Sequence, residues 1–272
     1  FLDDLRKAVK EENSNAVIIG EVWEDATTKF AYGQRRRYLL GEQLDSVMNY
    51  PFANSILDFV KYPNAHEFFD RIMTVVENYP PQVTNVLMNH IGTHDTERAI
   101  SRLAGDSCEG YGRHWQYVHN KLSEYDYLRG ISLMKIASLI QYTLPGVPSL
   151  YYGDEIGMEG LKDPFNRACM NWDEPNTELL RWYKRLGEIR IGCKVLAKGE
   201  FVPLYSEHKT IAYVRTDENS ELLVAVNLDD TDVDIFVGDR WDNAYNFFDE
   251  VSVDGYVHLE PMRYTLLTKV KE

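Results

Sequence analysis

The sequence predicts an α/β chain, a run of strand–helix units followed by a small antiparallel β-sandwich. Three observations predict it. Short apolar runs alternate with segments of helical period, the signature of βα units around a parallel sheet. Three of those runs end abruptly in charged clusters. Past residue 195 the texture changes to short β-rich stretches separated by turn residues.

Taken in order, Leu2, Leu5, Ala8 and Val9 recur at helical spacing between charges, and Asn13-Ser14-Asn15 ends that helix. Residues 16–20 (AVIIG) form a continuous apolar run, which suits a strand covered on both faces. Residues 46–50 read as a strand, 65–79 as a helix and 86–88 as a strand. Residues 125–143 read as a long helix stopped by Pro145-Gly146. Residues 149–152 read as a strand ended by Gly153, and 178–191 as a helix. That makes four strand–helix units, whereas a closed (β/α)8 barrel needs eight strands and typically about 250 residues. Half a barrel leaves two sheet edges open to pairing. From Phe201 onward, runs at 210–215, 222–227, 233–237 and 264–268 alternate with turns such as Asp254-Gly255, the pattern of a sandwich. The expected units are residues 1–194 and 195–272.

Composition narrows the function. A formal net charge of −14 argues against nucleic acid or an anionic membrane surface as partner, since both require basic patches. Aromatics reach 12%, with 18 Tyr and 5 Trp, as sugar-binding clefts and ordinary cores both require. Cys108, Cys169 and Cys193 are odd in number and far apart, so free thiols in a reducing compartment are expected rather than disulfides or a CxxC site. The acidic composition and the lack of a signal segment suggest the cytoplasm. The start at Phe1, inside an amphipathic pattern and without Met, suggests a fragment or a processed chain.

The charged strand ends are where chemistry is expected. Residues 18–20 run into Glu21-Val22-Trp23-Glu24-Asp25, residues 86–88 into NHIGTHDTER, and residues 150–153 into Asp154-Glu155. In parallel α/β folds the carboxyl ends of the strands form the active-site face. Two carboxylates from different strands facing one cleft are the minimum for glycoside hydrolysis, one of them an acid whose pKa an apolar neighbour raises. Trp23, two residues past Glu21, is placed to be that neighbour. The alternative is that these carboxylates are solvated or cap the next helix. His94-Asp95 reads equally as a self-orienting or capping pair. His90 and His94 have i, i+4 spacing, but Gly92 and a strand end between them remove the helix a zinc motif needs. The sequence contains neither a phosphate-binding glycine loop nor a Gly-x-Ser-x-Gly elbow.

Together these pieces resemble the α-amylase family of retaining glycosidases, in particular its cyclomaltodextrinase, neopullulanase and maltogenic amylase branch, over nearly the whole chain. IIGEVWEDA is similar to the family's fifth-strand motif, and DSVMNYPF to the segment around its sixth strand. GTHDTER is similar to its seventh-strand motif, and LPGVPSLYYGDEIGMEGLKDPFNR to its eighth strand and the loop beyond. The resemblance implies the second half (strands 5–8) of a (β/α)8 TIM barrel, followed by the sandwich. It implies Glu21 as general acid/base and Asp95 as the carboxylate that stabilises the distorted, cationic transition state. His94 would hydrogen-bond the sugar and Trp23 would line the neighbouring subsite. Asp163 and Arg167 would contact substrate, unless Arg167 serves only in an ion pair with Asp163. Glu97 and Arg98 read as helix-start and ion-pair residues. The implied partner is an α-glucan oligosaccharide. The residues call for no cofactor, and nothing in them supports a calcium site.

Two departures shape the expectation. The family's nucleophilic Asp, two residues after an Arg at the end of the fourth strand, is not among these residues, and a retaining mechanism needs it. The chain is therefore expected to be the C-terminal portion of an enzyme acting on α-1,4 or α-1,6 bonds of cyclomaltodextrins, malto-oligosaccharides or pullulan. By itself it should be nearly inactive, and it is a candidate for homodimerisation through its open edges. A non-catalytic carbohydrate-binding module and a transglycosylase remain the alternatives. Ala168 stands where the branch often has a second Arg.

Overall fold

The computed structural model describes residues 1–248 and 253–271. Residues 249–252 and 272, part of the C-terminal unit expected above, lie outside the described residues. The chain opens with helix α1 (Leu2–Glu12), which buries none of its residues. Its Arg6 and Lys10 instead reach the Asp45 carboxylate at 2.9 and 3.0 Å. Strand β1 (Ile19–Gly20), a small hairpin β2 (Phe30–Ala31)–β3 (Gln34–Arg35), and strand β4 (Ser46–Val47) follow. Helices α2 (Tyr50–Lys61), α3 (Ala65–Asn78) and α4 (Pro81–Thr84) lead to β5 (Met88–Asn89). Helices α5 (Ala99–Ala104), α6 (Arg113–Val118) and α7 (Glu124–Thr143) lead to β6 (Val147–Pro148), and α8 (Thr177–Gly192) and α9 (Val195–Lys198) close the first part.

The four strands stand side by side and parallel. Ile19 pairs with Ser46, Met48 bridges to Met88, and Met88 pairs with Val147. β4 is reached from β1 through the β2–β3 hairpin, and β5 and β6 through helices, so the chain advances across the sheet in one direction. Every strand is very short, and polar side chains begin within two residues of its carboxyl end.

Three expectations need correction. The strand at 46–50 ends early: Asn49 accepts a hydrogen bond from the Phe52 amide and caps α2, with Pro51 in the first turn. The following apolar positions, Phe52, Ala53, Ile56, Leu57, Phe59 and Val60, have helical spacing and are buried; α2 escaped notice because the apolar run before it reads on as strand. The strand at 149–152 lies earlier, at β6, because the chain turns at Tyr151–Gly153; Gly153 takes φ +88°, open to glycine without strain. The run at 16–20 is not covered on both faces: Val17 and Ile19 are 56% and 39% exposed.

The second part is a five-stranded antiparallel sheet. Strands β7 (Glu200–Glu207), β8 (Thr210–Thr216), β9 (Ser220–Asn227), β11 (Tyr245–Asn246) and β13 (Arg263–Val270) lie in the order β11-β13-β9-β8-β7. A two-stranded ribbon, β10 (Val233–Phe236) with β12 (Tyr256–Leu259), stands apart from it. Alternation along the strands sends residues to opposite faces. Ile211, Tyr213, Leu222, Val224 and Val226 join a core shared with α2, α3, α7 and α8. Ala212, Val214, Leu223 and Ala225 join a second core with Ile235, Val257, Leu259 and Trp241. The sheet is thus packed between the helices and the ribbon. Fully buried Arg215 ties the layers together, donating to the Thr143 carbonyl at the end of α7 and to Gly199, both at 2.7 Å. Tyr213 and Thr143 share a hydroxyl–hydroxyl bond of 2.6 Å.

Candidate active site

The carboxyl ends of β1, β4 and β5 carry two groups of side chains that meet around Tyr50. The first group comes from β1. Glu21 follows Gly20 directly, and the indole of Trp23 donates from Nε1 to Glu21 Oε1 at 2.8 Å. Trp23 also stacks on the Tyr50 ring, with centroids 4.1 Å apart and planes 14° from parallel. The Tyr50 hydroxyl lies 3.5 Å from Glu21 Oε1. Trp23 therefore meets Glu21 through its indole N–H, a polar contact, rather than as a purely apolar neighbour. Tyr50 is fixed from its other side by His90, edge-on at 4.5 Å.

The second group comes from the segment after β5. His94 Nε2 lies 3.2 Å from Asp95 Oδ2, and Arg167 Nη2 lies 3.2 Å from Asp95 Oδ1. Arg167 also reaches Asp163 through Nε at 3.0 Å and donates to the His94 carbonyl at the same distance. Asp95 thus has one partner on each oxygen, and Arg167 joins the β5 segment to the loop after β6. Buried Asn166 makes the join rigid: its amide donates to the carbonyls of His94 and Thr96 at 2.7 and 2.8 Å. Both ends of the Asp95 turn are held by one side chain.

Tyr50 links the groups electrostatically. Burial raises the pKa of its phenol, and the negative charges of Glu21 and Asp95 push it the same way. The two carboxylates therefore act on one ring from different strands. Glu21, Trp23, His94, Asp95, Asp163 and Arg167 are all solvent-exposed, so they form an open face accessible to a large ligand.

Behind this face lies a buried charge pair. Arg98 and Asp154 are essentially fully buried, 3.5 Å apart. The guanidinium also lies 4.3 and 4.5 Å from the ring centroids of Tyr151 and Tyr152. Burial pushes the Asp154 carboxyl up to about 7, and Arg98 opposes that rise. A Cβ at Gly92 would lie 2.5 Å from Asp154 Oδ2, so any larger residue there would force this carboxylate to move. Asp154 is thus withdrawn from the open face on which the strand-end pattern placed it. Arg98 stands at the N-cap position of α5 without a side-chain cap and pairs with Asp154, and Glu97 accepts from the Cys108 thiol at 2.8 Å.

Tyr50, His90, Asn166 and the Arg98–Asp154 pair were not singled out as site residues by sequence reasoning. Tyr50 carried a signal, since it follows a strand and precedes a proline. The others are brought in by packing between segments distant in the chain. Among the described residues no group of His, Cys, Asp or Glu is placed to hold a metal ion, and no helix is long and apolar enough to cross a membrane.

Residues 1–185 match the family model described as alpha amylase, catalytic domain. The chain is similar to a cyclomaltodextrinase of Bacillus sp, 33% identical over 235 residues that cover 84% of this chain and 36% of that protein. It is similar to neopullulanase 2 of Thermoactinomyces vulgaris, 32% identical over 233 residues, or 84% of this chain and 34% of that protein. The chain thus spans about a third of the length of these relatives. Among solved structures, a debranching enzyme from Nostoc punctiforme aligns with TM-score 0.79 at 25% identity, over 99% of this chain and 55% of that one. A cyclomaltodextrinase aligns with TM-score 0.79 at 28% identity, over 98% and 42%.

Proposed function

The chain belongs to the α-amylase family, with a TIM-barrel-type glycoside hydrolase fold, and from that premise we propose that the face around Tyr50 is the acid/base part of an α-glucan hydrolase active site. The observation that carries the reading is the pair of exposed carboxylates, Glu21 after β1 and Asp95 after β5, with β4 and the Tyr50 ring that follows it between those strands. Glu21, held by the Trp23 indole, is the general acid that protonates the departing glycosidic oxygen and then the base that activates water. Asp95, fixed by His94 and Arg167, presents negative charge where the sugar ring becomes cationic. Arg167 offers its remaining N–H groups and His94 its other ring nitrogen to sugar hydroxyls, and Trp23 offers its outer face to a neighbouring sugar ring.

A retaining reaction also needs a nucleophilic carboxylate. Asp95, engaged on both oxygens, is poorly placed for that role, so the reading assigns the nucleophile to protein outside these 272 residues. The first four strands of a closed barrel, and the cleft's opposite wall, are assigned there too. The substrates in this reading are malto-oligosaccharides, cyclomaltodextrins or pullulan, with residues 1–194 as the catalytic portion and 195–272 as the appended β-domain.

The test is release of glucose and maltose from maltotriose and cyclomaltodextrin by the full-length protein, compared with Glu21→Gln and Asp95→Asn. Each substitution is expected to cut kcat by about 10²–10⁴-fold, the range of a general acid/base or a charge-stabilising group. Sugar binding with no turnover in the unaltered full-length protein would support a carbohydrate-binding module in place of an enzyme.

A further inference from the structure

The segment between β1 and β4 borders a cavity of about 290 Å³ that shares no residue with the face around Tyr50. That volume is near the lower end, ~300 Å³, of small-molecule pockets. Ala26, Leu39, Leu40 and Pro80 give the cavity apolar walls, and Arg35, Arg36 and Arg37 all line it. Three consecutive arginines around one cavity run against a net charge of −14 for the chain.

Hydrogen bonds fasten the frame of this cavity. The β2–β3 hairpin turns at Tyr32 and Gly33, both at positive φ. Its pairing continues as the Arg36 amide donates to the Lys29 carbonyl at 2.8 Å. Arg35 Nε donates to the Thr27 carbonyl at 2.9 Å. The Tyr79 hydroxyl, at the end of α3, accepts from the Ala26 amide at 2.8 Å, and Asn78 donates to Asp25 at the same distance. The arginines thus stand on a loop pinned to the end of a helix.

The acids of these segments are already engaged. Asp25 accepts from the Thr27 amide and hydroxyl on one oxygen and from Asn78 on the other. Glu24 pairs with Lys29. Asp3 and Glu42 pair with Arg37 at 3.2 and 2.6 Å. Among the described residues neither Arg35 nor Arg36 forms an ion pair. The Arg36 guanidinium lies 5.4 Å from the Tyr38 ring centroid, and its Nε, shielded from solvent, has no hydrogen-bond partner. A shielded N–H of a charged group calls for an acceptor.

We infer that this cavity is a binding site for a phosphate monoester of a small, largely apolar molecule. Two unpaired guanidiniums match a dianion in charge, and their forked N–H groups match phosphate oxygens in geometry. The phosphate supplies the acceptor that Arg36 Nε lacks, and the apolar walls cover the body of the ligand. A monocarboxylate brings half the charge and fewer acceptor oxygens, so it binds less well. The inference does not depend on the α-glucan reading.

The experiment is calorimetric titration of the full-length protein with phenyl phosphate, inorganic phosphate and benzoate, repeated with Arg35→Ala and with Arg36→Ala. Arg35 is exposed, so its variant guards against a folding defect in the other, and thermal unfolding checks both. Phenyl phosphate is expected to bind most tightly, and each substitution to weaken it about tenfold or more, the worth of a charge-assisted hydrogen bond. Inorganic phosphate is expected to compete for the same site with lower affinity, and benzoate to bind more weakly than phenyl phosphate. No phenyl phosphate binding, as when a carboxylate from outside these residues pairs with the arginines, overturns the inference. Binding that neither substitution weakens, or benzoate binding as tight as that of phenyl phosphate, overturns it too. Inorganic phosphate binding as tightly as phenyl phosphate overturns the role given to the apolar walls. Each of these results leaves the reading of Glu21 and Asp95 untouched.

Discussion

His90 shows how much of the site rests on side chains with no direct part in chemistry. It is 2% exposed, lies edge-on to Tyr50, and burial pushes its pKa from 6.5 down to about 4. Its sign is fixed: the folded state keeps His90 neutral, while the unfolded chain takes up a proton as pH falls through 6.5, so its contribution to stability is lost between pH 6.5 and about 4. The cost at full protonation is about 3 kcal/mol. Asp154 works in the opposite direction. Its carboxyl is raised to about 7, so the folded state holds a proton that the unfolded chain releases from about pH 4 upward, and stability falls as pH rises toward 7. The two partly cancel in the unaltered protein. His90→Asn removes one of them, so its stability relative to the parent should improve steadily as pH is lowered from 7 to 4.5, read by urea denaturation at several pH values. Parallel pH curves for the two proteins would show that His90 is not held neutral. Neither residue's state was legible in the sequence, since both shifts come from burial by segments far along the chain. Glu21, His94, Asp95, Asp163 and Arg167 were legible as candidates because polar side chains directly after a strand, or within a quoted motif, carry their own signal.

At the scale of elements, the loops that carry these side chains are fastened by buried amides. Asn49 caps α2, and its side chain donates to Asn89 at 2.9 Å; Asn89 in turn donates to the Pro145 carbonyl at 2.7 Å. One chain of amides therefore spans the ends of β4, β5 and the turn before β6. Asn49→Ala should cost about 2 kcal/mol, roughly one for the cap and one for the buried hydrogen bond. A denaturation midpoint unchanged in that variant would mean that the cap and the bond are not both made. The same residue explains the misplaced strand. Ser46 to Tyr50 has strand composition, and only the Asn-Tyr-Pro sequence marks the switch to helix. The long helices α3, α7 and α8 were legible within a residue or two: α3 and α8 have an apolar period and begin at Asn64 and Asn176 caps, while α7 is marked by its length and the Pro145-Gly146 stop. The very short parallel strands were less legible, since two residues of ladder leave little pattern to read.

At the scale of the whole molecule, the helices and the five-stranded sheet share one core across residue 195, so the two expected units pack as one body. The parallel ladder is different. Among the described residues β1 and β6 each pair on one side only, and Val17, Ile19, Val147 and Leu150 near those edges are 39–56% exposed. Such edges invite pairing with another strand. This chain alone is therefore predicted to self-associate, with a concentration-dependent mass in sedimentation equilibrium. A monomer mass throughout would contradict that.

The most direct measurement of the central claim compares leaving groups. The full-length protein and its Glu21→Gln variant are assayed on maltotriose, whose departing sugar needs a proton, and on α-maltosyl fluoride, whose fluoride does not. If Glu21 is the acid, the variant loses about 10²–10⁴-fold on maltotriose and far less in the glycosyl-transfer step with the fluoride. Equal losses on both substrates, or none on maltotriose, would contradict the role assigned to Glu21.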